Sequence, residues 1–84
     1  MKEKAVGKVS DFFAHVVVAG IDMTGTLKVG DKIHIKGHTT DIEVVIASMQ
    51  IDNKNVTEAK TGQSVGIKVP ERVRVGDLVY KVTE

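Results

Sequence analysis

Thr40-Asp41-Ile42-Glu43-Val44-Val45-Ile46-Ala47-Ser48-Met49-Gln50-Ile51 carries two competing periodicities. Ile42, Val45, Ile46 and Met49 stand at i, i+3, i+4 and i+7, the spacing of a helical stripe. Ile42, Val44 and Ile46 also alternate as they would along a strand. The block Ile42–Ile46 is mostly β-branched, and such side chains lose rotamer freedom in a helix but fit a pleated surface. Residues 40–51 therefore read as one long strand, the longest expected here, and the chain as all-β.

The flanking segments agree. Upstream, Lys32-Ile33-His34-Ile35-Lys36 alternates cleanly, with the isoleucines inward and the polar residues outward, until Gly37 breaks the strand. Downstream, Asp52-Asn53-Lys54-Asn55 has turn composition, because Asn and Asp tolerate left-handed backbone angles. Val65–Val69 and Leu78–Val82 supply later strands. A first strand is expected near residues 4–11, and a second over His15–Ile21, whose apolar run suggests burial on both faces. Val17 or Val18 should join Ile33, Ile35, Val44, Ile46, Val65, Ile67 and Val79 in the core. Phe12 and Phe13 are both expected to anchor it. Eight glycines and one proline between short apolar runs suit a small barrel or sandwich.

One pattern occurs twice. Lys28-Val29-Gly30-Asp31-Lys32-Ile33 and Arg74-Val75-Gly76-Asp77-Leu78-Val79 both read basic-Val-Gly-Asp-x-aliphatic. Glycine takes positive φ at little cost and Asp can bond nearby amides, so each is a tight turn launching a strand.

Composition bounds the function. The 84 residues are 42% apolar and 27% charged, enough for one folded domain over residues 1–84. The absence of cysteine excludes a disulfide framework, a thiol nucleophile and an iron–sulfur site. Twelve basic residues against eleven acidic ones leave a net charge of +1, too little for a strongly basic nucleic-acid binder but compatible with a local basic patch. Lys2, Glu3, Lys4 and Lys8 stand where a signal peptide needs apolar residues, and the apolar run Val16–Ile21 is far too short to span a bilayer. A cytoplasmic protein with no membrane contact is expected.

No catalytic pattern emerges. His34 and His38 are separated by Gly37, His15 lies elsewhere, and no third strong ligand accompanies them. Asp11, Asp41 and Glu43 have no spacing that pairs them, and Ser10, Ser48 and Ser64 lack a nucleophile-elbow signature. The expectation is a chain that is not an enzyme and holds no metal or cofactor.

Gly25-Thr26-Leu27-Lys28-Val29-Gly30-Asp31-Lys32-Ile33 resembles the G-x-L-x-x-G-D-x-[VI] segment in the second domain of translational GTPases of the elongation factor Tu type. Ser48-Met49-Gln50, Val56–Gly62, Val65-Gly66-Ile67 and the closing Val75–Val79 follow in the same order, so the resemblance runs from about Gly7 to Val82. It implies a small closed antiparallel β-barrel of six or seven strands with Greek-key connections. It further implies a non-enzymatic binding module for RNA or a translation-associated ribonucleoprotein. A protein-interaction or accessory module without nucleic-acid contact is the alternative. No G-x-x-x-x-G-K-[ST] loop is present, so no nucleotide is expected. Lys28, Lys32, Lys36, Lys68, Arg72 and Arg74 would form the cationic contact face if the two Gly-Asp turns share one end of the barrel.

Overall fold

In the computed structural model, which describes residues 2–83, the regular structure is entirely strand. β1 (Lys2–Phe13), β2 (Val18–Met23), β3 (Leu27–Lys28), β4 (Lys32–Lys36) and β5 (Asp41–Val45) form the first half. β6 (Met49–Ile51), β7 (Lys54–Val56), β8 (Glu58–Ala59), β9 (Ser64–Lys68) and β10 (Leu78–Thr83) form the second. Eight strands make one antiparallel sheet in the order β5-β4-β10-β1-β2-β9-β6-β7, and β3 pairs with β8 in a separate ribbon. None of the described residues forms a helix long and apolar enough to cross a membrane.

All-β antiparallel architecture is what the β-branched runs predict. The closed barrel is not found, because β5 and β7 remain the two edges of the large sheet. The reason lies at Ile46. Its amide donates to the Asp31 carbonyl at 2.9 Å and its carbonyl accepts from the Gly30 amide at 2.8 Å, so a turn occupies the groups that would continue the ladder. Residues 40–51 are accordingly two short strands, β5 and β6, with a break over residues 46–48. The longest strand is instead β1, with 12 residues. It bends over the core at two register shifts, between Ala5 and Gly7 against β10 and between Val9 and Asp11 against β2.

The expected second strand also starts later. Residues 14–17 form the turn between β1 and β2, where Val17 takes φ 54° and Val16 stands 54% exposed. The apolar run Val16–Val18 was therefore a poor guide to burial: Val17 and Val18 are only half-buried, whereas Ala19 and Ile21 are fully enclosed.

The core collects Val9, Ile21, Leu27, Ile33, Ile35, Ile46, Met49, Ile67, Val73 and Val79 from both halves of the chain. Each such side chain contributes about 1.5–3 kcal/mol on leaving water. Seven of the expected core residues are buried: Ile33, Ile35, Val44, Ile46, Val65, Ile67 and Val79. Phe12 only packs partly against the core, and Phe13 is 50% exposed.

Three turns share one construction. Gly30 and Gly76 both have φ 96°, and Gly62 has φ 89°. Asp31, Asp77 and Gln63 each donate their amide to the carbonyl three residues back, at Lys28, Arg74 and Lys60. Their side-chain oxygens accept from the amides of those same residues, at 2.9, 2.9 and 2.7 Å. Positive φ at the third residue of a four-residue turn is the type II requirement for glycine. Each turn then docks on one buried apolar residue through two backbone bonds: Ile46, Val9 and Met23 respectively. Two of these turns are visible as the repeated Val-Gly-Asp motif. The third, Lys60-Thr61-Gly62-Gln63, uses a glutamine in the acceptor role.

Candidate functional site

Gly20 on β2 and Gly66 on β9 lie directly opposite each other, and both face outward between buried neighbours. The row extends across the sheet, with Asp11 opposite Gly20 on one side and Gln50 opposite Gly66 on the other. Asn55 follows on β7, accepting from the Gln50 side-chain amide at 3.1 Å. Two glycines abreast leave the middle of this outer face without side chains, exposing backbone to anything that settles there. The result is an open groove of about 560 Å3.

Its two banks differ chemically. On one side stand Phe13, Val16 and Val18, with Phe13 and Val16 each at least half exposed. On the other side stand Ser64 and Asp52, and the Ser64 hydroxyl donates to Asp22 Oδ1 at 2.9 Å. Asp52 is held there by the β6–β7 hairpin, whose two-residue loop puts Asp52 at φ 52° and Asn53 at φ 63° while Ile51 pairs with Lys54. Positive φ at both central residues is the I′ geometry that matches strand twist. Asp11 closes one end of the floor, its Oδ1 accepting the Phe12 amide at 2.8 Å. The lining includes no basic side chain; Lys8 and Lys68 lie in the flanking rows, opposite Asp22 and Val18. Sequence reading missed this groove. The available signal was an isolated glycine inside each of two strand patterns, which marks a close backbone approach.

A second polar cluster lies on the outer face of β1, β4 and β5. His34 contacts Glu3 Oε2 through Nδ1 at 2.5 Å and Asp41 Oδ1 through Nε2. Lys36 reaches Glu3 Oε1 at 2.7 Å and lies over the Tyr80 ring. Hydrogen bonding to Asp41, then to Glu3, raises the His34 pKa above its ordinary value. Bonds from Lys36 and His34 hold the Glu3 carboxyl below the usual range, and the bond to Glu3 raises Lys36.

The six basic residues expected to form a cationic face are dispersed. Lys28 pairs with Glu58 at 3.8 Å, Lys32 with Glu43 at 3.1 Å and Lys36 with Glu3. Arg72 lies over the Phe12 ring, 5.9 Å from its centre. Lys68 ends β9 opposite Val18, and Arg74 opens the turn before β10. The two Gly-Asp turns do not share one end. One leads into β4 and the other into β10, and these strands run antiparallel with Lys36 beside Leu78 and Ile33 beside Lys81. That register puts Lys28 and Arg74 at opposite ends of the pair.

No protein-family model matches the chain. Over 80 residues, or 94% of its length, it is 46% identical to a protein of Methanocaldococcus jannaschii named an uncharacterized protease. It is 33% identical over 78 residues, 90% of its length, to proteins named collagenase from Porphyromonas gingivalis. The chain spans about a fifth of the length of these curated relatives, between 19% and 22%. Among solved structures it superposes on the C-terminal domain of a Geobacillus thermoleovorans "putative U32 peptidase" with a TM-score of 0.89. That match has 17% identity and covers 95% of this chain and 93% of the other; a selenomethionine form of the same domain gives 0.86, 16% identity, and 90% and 96% coverage. These likenesses overturn the translation-factor reading, its RNA-binding role and the expectation that the chain is not an enzyme, since the curated relatives it matches are named for proteolysis. The misleading motif has a physical explanation, since Gly25–Ile33 encodes a locally bonded turn that this chain builds three times at unrelated positions. The chain is thus similar, over nearly all of its length, to one segment of proteins named for proteolysis.

Proposed function

We propose that this chain is a β-domain of a U32-type peptidase and that it holds polypeptide against the glycine-floored groove. The 46% identity to a protein named as a protease, extending over 94% of this chain, carries the reading. The groove supports it chemically. Its floor exposes backbone at Gly20 and Gly66, and its apolar bank offers Phe13 and Val16 to incoming side chains. A large exposed aromatic beside an open cleft is a usual anchor for a binding partner. Peptide-bond hydrolysis is what the relatives' names attribute to proteins of which this chain spans about a fifth.

Fluorescence anisotropy with labelled gelatin and labelled reduced, alkylated lactalbumin tests the proposal. Saturable binding is expected, weakened about tenfold, or roughly 1.4 kcal/mol, by Phe13→Ser combined with Val16→Ser. Both residues are solvent-exposed, so the double variant should keep its melting temperature. Failure to bind either polypeptide, or equal binding by the double variant, rejects the role of this groove.

A further inference from the structure

We infer that the groove selects an extended polypeptide segment in which basic and apolar side chains alternate, the apolar ones lying against Phe13, Val16 and Val18 and the basic ones toward Asp52 and Asp11. This rests on the reading of the groove as a polypeptide site and goes further by naming the segment's chemistry.

The dimensions follow from the register. The glycine row crosses β1, β2, β9, β6 and β7, and on β2, β9 and β6 the outward residues flanking it lie two positions away along the chain. Two residues of rise on either side give a bank-to-bank width of roughly 13 Å, and five strands give a length of about 19 Å. Those figures suit one extended chain of about six residues. With glycines at Gly20 and Gly66, its backbone can approach the sheet closely. A Cβ at Gly20 would sit 3.3 Å from the Asp11 Cβ, and one at Gly66 would sit 3.2 Å from Val18 Cγ1.

An extended chain sends successive side chains to opposite sides. Lying in this groove, it would present alternate residues to two unlike banks. One bank is apolar: Phe13 and Val16 are exposed, and Val18 is half-buried. The other carries the Asp52 carboxylate and the Ser64 hydroxyl, which donates to Asp22 outside the lining, and Asp11 adds a second carboxylate at the end of the floor. Lys8 stands directly opposite Asp22 and Lys68 opposite Val18, so the carboxylates that line the groove itself, with no basic side chain in that lining, are Asp52 and Asp11. The occupant's lysines or arginines would meet carboxylates while their methylene stems cover the glycine floor.

Three labelled nonapeptides provide the test by anisotropy: one alternating Lys and Val, one alternating Glu and Val, and one with the same Lys and Val content arranged in two blocks. The alternating Lys peptide should bind about tenfold more tightly than either other, with the advantage shrinking as salt rises. Asp52→Asn with Asp11→Asn keeps the shape of the groove and should reduce the preference for Lys over Glu to under about threefold, at an unchanged melting temperature. Equal affinity for Lys and Glu peptides while gelatin still binds overturns the charge selection but leaves polypeptide capture standing. Block and alternating peptides binding alike overturns the two-bank arrangement. Absence of binding to every peptide and to gelatin overturns both readings. Self-association in sedimentation, abolished by Phe13→Ser with Val16→Ser, would assign the groove to a second copy of the chain and overturn the inference.

Discussion

Val9 and Asp77 are joined through the backbone, the Val9 amide donating to the Asp77 carbonyl at 2.8 Å. The Val9 carbonyl in turn accepts from Gly76, also at 2.8 Å. Val9 is completely buried, so the turn before β10 is clamped to the middle of the longest strand at a point where water cannot replace the lost bonds. Ile46 and Met23 clamp the other two turns in the same manner. Register in this small sheet is thereby set by three backbone docking points as well as by strand pairing.

The glycines of these turns should resist substitution for a conformational reason alone. An added Cβ at Gly30 or Gly76 would meet nothing within 4 Å, yet both residues hold φ 96°. Gly30→Val should therefore destabilise by more than about 1 kcal/mol in urea denaturation. Equal stability of wild type and variant would contradict the turn assignment.

Gly37 is required for the opposite reason. A Cβ there would lie 1.9 Å from Asp77 Oδ1, so a side chain must displace the carboxylate whose other oxygen accepts from Arg74. Gly37→Ala should cost about 1–3 kcal/mol. An Asp77→Ala background should absorb much of that loss, because the clash and the bond are then both absent; a double-mutant cycle reads the coupling.

Stability should depend on pH through His34 and Glu3. The raised His34 pKa means its contribution is fully present below the ordinary histidine value near 6.5 and is lost as pH rises through the folded value. The lowered Glu3 pKa means its contribution is present above the ordinary value of 4.5 and is lost as pH falls through the folded value. The melting temperature should therefore peak in the weakly acidic range between those limits. His34→Gln should remove the alkaline-side decline while retaining the acid-side one, as thermal melts across pH would show.

The β6–β7 hairpin offers a stabilising change. Asn53 occupies φ 63° at the second position of a two-residue loop, where glycine is favoured. Asn53→Gly should leave stability unchanged or raise it by up to about 1 kcal/mol in urea denaturation. A loss of more than that would mean that the Asn53 side chain contributes to the groove beyond its backbone role.

Truncation of a core strand should be costly. Ile21 is fully buried on β2, between Val9 and Val65 on the neighbouring strands. Ile21→Ala should destabilise by about 2–5 kcal/mol, a large share of the stability of a domain this size. A chemical denaturation midpoint within error of wild type would show that the sheet does not close over this residue.

Local chemistry determined much of this structure on its own. The alternation in Lys32–Lys36 placed Ile33 and Ile35 inside, β-branching excluded a helix at Ile42–Ile46, and Val-Gly-Asp marked two turns, because each depends only on neighbouring residues. Only the tertiary structure decided that residues 46–48 leave the ladder, since the group that captures Ile46 comes from Gly30 and Asp31. It likewise decided that Lys28 and Arg74 lie apart, which depends on the antiparallel pairing of β4 with β10. The groove belongs to the same class. Gly20 and Gly66 are 46 residues apart in the chain, and their alignment exists only through the register of β2 on β9. A sequence records which positions lack a side chain; which of them face one another is a long-range pairing that the whole fold must satisfy at once.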